Sequence, residues 1–192
     1  MISKYREDSR LRAGIFLCFL ISSFVGIGMF SGCNGAADEN EAAKNNLPPL
    51  STTFDTPEAL AQAFLDALYQ KDVEALKKFG LSKEEFRLHV WPELPVSKLE
   101  KNPLPFDYGW NDLHQKSTNS LRRTYATYGG RKLTFIRLEF EDETTPYDTF
   151  KVHRDARVVV RDEDIGETLR LDLFGSIMEK DGRFKLFSYV TD

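Results

Sequence analysis

The chain has 192 residues, a formal net charge of −4 and a nearly even mixture of acidic and basic side chains. That balance gives no electrostatic footprint for nucleic acid, and short basic pairs such as Arg122-Arg123 and Arg131-Lys132 read as solvated faces. Its 2 cysteines, Cys18 and Cys33, both lie in the first 33 residues, so no disulfide framework braces the rest of the chain and a hydrophobic core must hold it alone.

Lys4, Arg6, Arg10 and Arg12 form a basic head, followed by an apolar run from Ala13 to Phe30. The run ends in Phe30-Ser31-Gly32-Cys33, two small residues and then cysteine. Basic head, apolar stretch and small residues are the order of a secretory signal. With cysteine directly after them, the segment resembles the lipobox of bacterial lipoproteins, although Phe30 stands where that family usually has Leu. The resemblance implies cleavage before Cys33 and diacylglycerol on its sulfur, which would hold the chain to a membrane by lipid. The same run reaches the lower length limit of an uncleaved signal anchor. Both readings keep the basic head in the cytoplasm and place residues 34–192 outside it. Asn34 after the cysteine, by the same resemblance, points to the outer membrane where enteric-type sorting operates.

The chain is thus expected to divide into a signal peptide (1–32), a lipidated flexible tether (33–54) and one domain (55–192). Residues 34–51 are polar, rich in Ala and Asn, and end near Pro48-Pro49, which suits a spacer. Thr56-Pro57-Glu58 begins a helix, with a capping side chain, proline at the first position and an acid at the positive end of the dipole. Leu60, Phe64, Ala67 and Leu68 form its apolar stripe. Asp72 opens a second short helix with Val73, Leu76 and Phe79, stopped by Gly80. Ser82 to Glu85 is a capping box for a third, ended by Pro92. Four prolines between 92 and 107 mark an irregular connection, and a longer helix is expected over 112–128.

From Lys132 the apolar period changes to two. Strands are expected at 132–141, 150–161, about 167–179 and 183–191. Asp181-Gly182 is a strong two-residue hairpin turn. It sets Lys180 opposite Arg183, Ile177 opposite Leu186, and Leu173 opposite Val190. One face then carries Leu169, Leu171, Leu173, Ile177, Phe184, Leu186 and Val190. The other pairs Phe174 with Tyr189, Ser176 with Phe187, and Met178 with Lys185. That second face is half apolar and needs cover from a loop, a second subunit or a ligand.

Helices followed by an antiparallel meander imply an α+β domain, with N-terminal helices packed on a curved four-stranded antiparallel sheet. The opening from Thr56 to Leu68, the second helix Lys71-Asp72-Val73-Glu74-Ala75-Leu76 and the closing strand Asp181-Gly182-Arg183-Phe184-Lys185-Leu186 resemble the nuclear transport factor 2-like, or cystatin-like, cone (SnoaL-type). That resemblance implies a roll enclosing a pocket and, in many members, a dimer through the sheet. The pocket serves ketosteroid isomerase and polyketide cyclase enzymes as well as binding-only proteins, so it does not by itself choose a function.

No pair of side chains has diagnostic catalytic spacing. An isomerase or cyclase would need a base and a buried donor, for which His89, Asp107 and Tyr125 are the candidates. Trp91, Trp110, Phe174, Phe187 and Tyr189 are the candidates for binding. His153 with Asp155 reads as part of an exposed charge ladder. The acidic runs lack the spacing of a calcium loop, and no zinc-ligand cluster, phosphate loop or serine elbow occurs, so no metal or cofactor is expected. The expectation is a binding or accessory lipoprotein of the cell envelope that takes a small apolar ligand, a homodimer mate or an envelope protein partner. An isomerase- or cyclase-type enzyme is the alternative.

Overall fold

A computed structural model describes residues 47–191; the expected signal peptide, Cys33 and most of the tether lie outside the described residues. Among the described residues four α-helices precede the strands: α1 (Pro57–Gln70), α2 (Val73–Phe79), α3 (Lys83–Glu85) and α4 (Phe106–Tyr128). The first three start where their caps place them. Thr56 Oγ1 accepts from the Ala59 amide at 3.0 Å, and Asp72 Oδ1 from the Ala75 amide at 2.9 Å. Ser82 and Glu85 form the full reciprocal box. Beyond α3 the chain widens into a π turn (Phe86–Val90) and two 3₁₀ turns that carry Pro92 and Pro95. The long helix α4 begins at Phe106, six residues before the expected 112, directly after the last proline of the connection.

The α+β class holds, but seven strands replace the expected four: β1 (Leu133–Phe140), β2 (Thr145–Pro146), β3 (Lys151–His153), β4 (Ala156–Asp162), β5 (Glu167–Leu171), β6 (Ser176–Lys180) and β7 (Arg183–Ser188). They form two antiparallel sheets, ordered β1-β4-β5 and β2-β3-β6-β7. Two expected strands are each broken at a corner. The strand over 150–161 turns at Arg154-Asp155, where Asp155 has a φ of 48°. The strand over 167–179 turns at Asp172–Gly175. The corner stays hydrogen-bonded, because the Ala156 amide donates to the Gly175 carbonyl at 2.9 Å and the Gly175 amide to the Ser188 carbonyl at 3.1 Å. Glycine is required there: a Cβ on Gly175 would overlap the Val190 carbonyl.

The Asp181-Gly182 hairpin forms with both residues at positive φ, 52° and 69°, the conformation of a tight two-residue turn. Its register matches the expectation from Lys180–Arg183 through Ile177–Leu186. A bulge between Ser176 and Ile177 then places Ser176 opposite Ser188 instead of Phe187. The bulge and the Gly175 corner turn Phe174 and Tyr189 into the main core, correcting their placement on a second face. There Phe174 meets Phe64 edge-on at 5.1 Å, beside Leu60, Leu68, Leu76, Leu173, Ile177 and Leu186. Val190, expected in the core face, is only half-buried.

The second face of the β2-β3-β6-β7 sheet is covered by the chain itself. Phe86, Val90 and Trp110 bury against Phe150, Val152 and Met178, with Leu50, Trp91 and Phe187 packed around them. Helices therefore cover both faces, not one. Residues placed by the sequence in the tether join this cover. Phe54 exchanges two 2.9 Å backbone bonds with Phe184, so the fold begins before residue 55. Ser51 is bound by a buried ion pair: Lys185, with no exposed surface, donates to the Ser51 carbonyl at 2.6 Å and the Lys78 carbonyl at 3.0 Å. Glu85 lies 3.6 Å from Lys185 and accepts from the Ser51 amide and hydroxyl at 2.7 and 2.9 Å. Among the described residues no helix is long and apolar enough to cross a membrane.

Candidate functional site

Two cavities collect four of the eight candidate residues. The smaller, of about 370 Å³, lies between α4 and the end of β7. Helix spacing builds one wall: Trp110, Leu113, His114, Ser117, Thr118 and Leu121 recur every three or four residues and share a face. Lys77, Gly80, Leu81, Phe187 and Tyr189 complete the lining. The His114 ring stacks on Trp110 at 5.1 Å with 21° between planes. Gly80 admits the Tyr189 ring, since a Cβ there would lie 2.7 Å from Tyr189 Cε2.

The lining is mostly apolar, with hydroxyls, one imidazole and one ammonium at its margin. It holds no carboxylate. Tyr189 does not offer a free donor, because its hydroxyl donates to the Leu76 carbonyl. Burial also pushes its phenol far above the ordinary range. The cavity is thus equipped to hold an apolar body and touch a polar edge. It lacks the carboxylate base and free phenol of proton-transfer chemistry alpha to a carbonyl.

The larger cavity, of about 670 Å³, is lined by residues 47–50, Thr53, His89, Thr149, Lys180, Asp181 and Arg183. Its polar groups mostly satisfy one another. Lys180 donates to the Thr149 hydroxyl at 2.8 Å, and the same hydroxyl donates to Glu93. Arg183 binds Thr53 through Nε at 3.1 Å and through Nη2 at 3.0 Å, and also pairs with Asp55. His89 Nε2 lies 2.9 Å from the Pro48 carbonyl, which makes Nε2 the protonated nitrogen. Its buried Nδ1 then keeps a lone pair with no partner among the described residues. Burial, and secondarily the Lys180 charge, lower the His89 pKa and keep the ring neutral. Size alone therefore does not make this the better ligand site.

The three catalytic candidates do not share either cavity. His89 lines the larger one and pins the strap of residues 47–50. Asp107 is exposed in the first turn of α4 and pairs with Lys83 at 2.8 Å, which holds its carboxyl below the usual range. Tyr125 is half-buried against the main core. Of the five binding candidates, Trp110, Phe187 and Tyr189 meet in the smaller cavity. Phe174 is wholly buried, and Trp91 packs edge-on against Phe106 at 5.6 Å.

His153 bonds Glu179 at 3.0 Å and Thr144 at 2.9 Å, tying β3 to β6 as a half-buried structural contact. No group of three metal-ligating side chains occurs among the described residues. His114, Ser117 and Thr118 escape a reading by residue type, although their spacing from Trp110 and Leu121 places them on one helical stripe. Compared with protein-family models, curated proteins and solved structures, the chain finds no match.

Proposed function

We propose that the protein is a membrane-tethered, extracytoplasmic binding module whose ligand site is the apolar cavity between α4 and β7. The observation that carries this reading is the composition of that cavity: aromatic and leucine walls, a rim of hydroxyls and imidazole, and no carboxylate. A ligand matching it has a small apolar body and one hydrogen-bonding edge. The lipobox-like Phe30-Ser31-Gly32-Cys33 supports a lipid anchor on Cys33, and residues 34–46 would act as the spacer. An envelope location facing the periplasm or exterior follows from that anchor. The hydrogen-bonded corner at Gly175 supports a cone-like roll, since it lets two sheets act as one bent surface. The isomerase or cyclase alternative gains no comparable support, because His89, Asp107 and Tyr125 lie apart.

The test is a titration of the detergent-solubilised full chain with anilinonaphthalene sulfonate, an apolar ring system bearing one anionic edge. Wild type should enhance the dye's fluorescence saturably. Thr118→Trp, which fills the cavity from an exposed position, should weaken binding at least about tenfold, the loss expected when an apolar pocket is blocked. Equal binding by wild type and Thr118→Trp, with unchanged circular dichroism, sinks the assignment of this cavity.

A further inference from the structure

The strap of residues 47–50 is held to the domain by few contacts. Pro48 and Pro49 have no amide hydrogen to give, and among the described residues no backbone–backbone hydrogen bond involves residues 47–50. Their one hydrogen bond there comes from His89, whose Nε2 donates to the Pro48 carbonyl at 2.9 Å. Leu50 adds partial burial against Phe86, Val90 and Trp110. The chain is firmly tied only from Ser51, which Glu85 and Lys185 hold, and at Phe54, which pairs with Phe184.

The single tie is made by a titratable ring that is badly placed to carry charge. His89 sits on the π turn Phe86–Val90 and is 4% exposed. With its proton on Nε2, the ring needs only the Pro48 acceptor. A second proton would turn Nδ1 from an acceptor into a donor, and Nδ1 has no hydrogen-bond partner among the described residues. A buried donor without a partner is costly, and more so when it is charged. The surrounding charges are mixed. Lys180 of β6 repels an imidazolium, Glu85 of α3 and Asp181 of the hairpin turn attract it, and residues 47–50 carry no charged side chain. Arg183 lines the same cavity but is taken by Asp55 and Thr53, and Glu93 is engaged by Thr149. Burial, then Lys180, prevail and hold the ring's pKa below its usual 6.5.

We propose that His89 is an acid-released latch, whose protonation lifts residues 47–50 off the larger cavity and lets water reach the ring. Protonation does not itself break the bond to Pro48, since Nε2 keeps its hydrogen. Release is driven by the cost of a buried charge with an unpartnered Nδ1, which water relieves once the strap, a wall of the same cavity, moves away. The linkage has one sign. The lifted state has an ordinary imidazole and the closed state a depressed one, so acid favours the lifted state. From about 6.5 down to the closed-state value, the ratio of lifted to closed strap should rise up to about tenfold for each pH unit lost. Ser51 stays fixed in this window, because the pKa of Glu85 is held below 4.5 and its carboxylate remains ionised. Leu50-Ser51 is therefore the hinge. On the anchored chain proposed above, release would add residues 47–50 to the spacer, up to about 14 Å of reach. The latch itself does not depend on that anchor.

The experiment is methyl NMR of the leucine-labelled full chain in detergent, from about pH 7.5 to about pH 5. Leu50 reports the strap, and Leu60 of the main core reports global folding. In wild type the Leu50 methyl signals should move from positions shifted by the neighbouring aromatic rings toward those of solvated leucine as pH falls, while Leu60 stays in place. The Hε1 proton of His89 should titrate with the same midpoint as Leu50, below 6.5. His89→Gln keeps an amide donor for the Pro48 carbonyl but cannot titrate, so its Leu50 signals should not respond to pH. Leu50 signals that stay in place in wild type overturn the proposal. Signals that move equally in His89→Gln, or with a midpoint different from that of His89, assign the change to another group and overturn it too. Movement of Leu50 only together with Leu60 would mean global unfolding and is equally fatal to a latch.

Discussion

Two buried ionisable side chains, Glu85 and His89, contribute to the acid behaviour of this domain, and both act on the strap that precedes α1. Glu85 is desolvated, but amide bonds from Ser82 and Ser51 and the Lys185 charge together hold its pKa below the ordinary carboxylate value of 4.5. The folded state therefore binds fewer protons than the unfolded one as pH falls past 4.5. Stability from Glu85 is complete above that value and drains away as pH drops through the lower folded pKa. His89 is also depressed, below 6.5, chiefly by burial. Between 6.5 and its folded pKa the unfolded chain takes up the proton and the folded chain does not, so stability falls with acidification in this higher window. Urea midpoints measured from pH 8 to 3 should thus decline in two stages. His89→Gln should remove the upper stage, and Glu85→Gln should shrink the lower one, to which Asp107, Glu139 and Glu141 also contribute. At pH 7 Glu85→Gln should also cost about 3–5 kcal/mol, because it leaves Lys185 charged, buried and without its counterion. A midpoint unchanged by Glu85→Gln at pH 7 would show the pair to be unimportant.

At the scale of elements, glycines at two turns separate two physical demands. Gly182 sits at φ 69° with open space around its α-carbon, whereas Gly175 has an unexceptional φ but no room for a Cβ. Gly182→Ala should therefore cost about 1–2 kcal/mol, the strain of a left-handed residue with a side chain. Gly175→Ala must displace a backbone carbonyl and should cost about 3 kcal/mol or more by overpacking. It should also loosen the corner, read as faster amide exchange at Ala156 and Gly175 than at the hairpin. Equal destabilisation by the two substitutions would contradict this distinction. The same corner explains why four strands are legible where seven exist. Alternation continues on both sides of Arg154-Asp155, so apolar period alone runs the halves together. Arg154, an interruption of the apolar positions, is the local sign of the break. The Ser176 bulge, which sets Ser176 opposite Ser188, leaves no comparable sign in the alternation.

At the scale of the whole molecule, the proposed anchor, spacer and binding domain imply a simple division of labour. The lipid would supply location, and the cavity a ligand. Cys33→Ser should block lipid attachment, so the variant should lose metabolic labelling with a tritiated acyl chain and keep an unprocessed length. Labelling that persists in Cys33→Ser would exclude lipidation at this residue. The candidate site is only partly visible in the sequence. Trp110, Phe187 and Tyr189 stand out for aromatic character, and they do meet. Nothing local joins them to Gly80 and Lys77, which arrive through the packing of α2 against the sheet. Lys185 shows the same limit more sharply: a lysine in an alternating strand reads as solvent-facing, yet it is buried against Glu85 and two backbone carbonyls.

By itself the sequence determined whatever is settled between residues a few positions apart: the caps of α1, α2 and α3, the Asp181-Gly182 turn, the near register of its hairpin and the α+β class. These rest on hydrogen bonds and backbone preferences spanning one or two turns of chain. Only the tertiary structure decided which faces are covered, where strands bend, which charge is buried and which aromatic residues share a cavity. Each of those depends on close packing between segments well separated along the chain, where a single carbonyl, such as that of Val190 against Gly175, decides which residue fits.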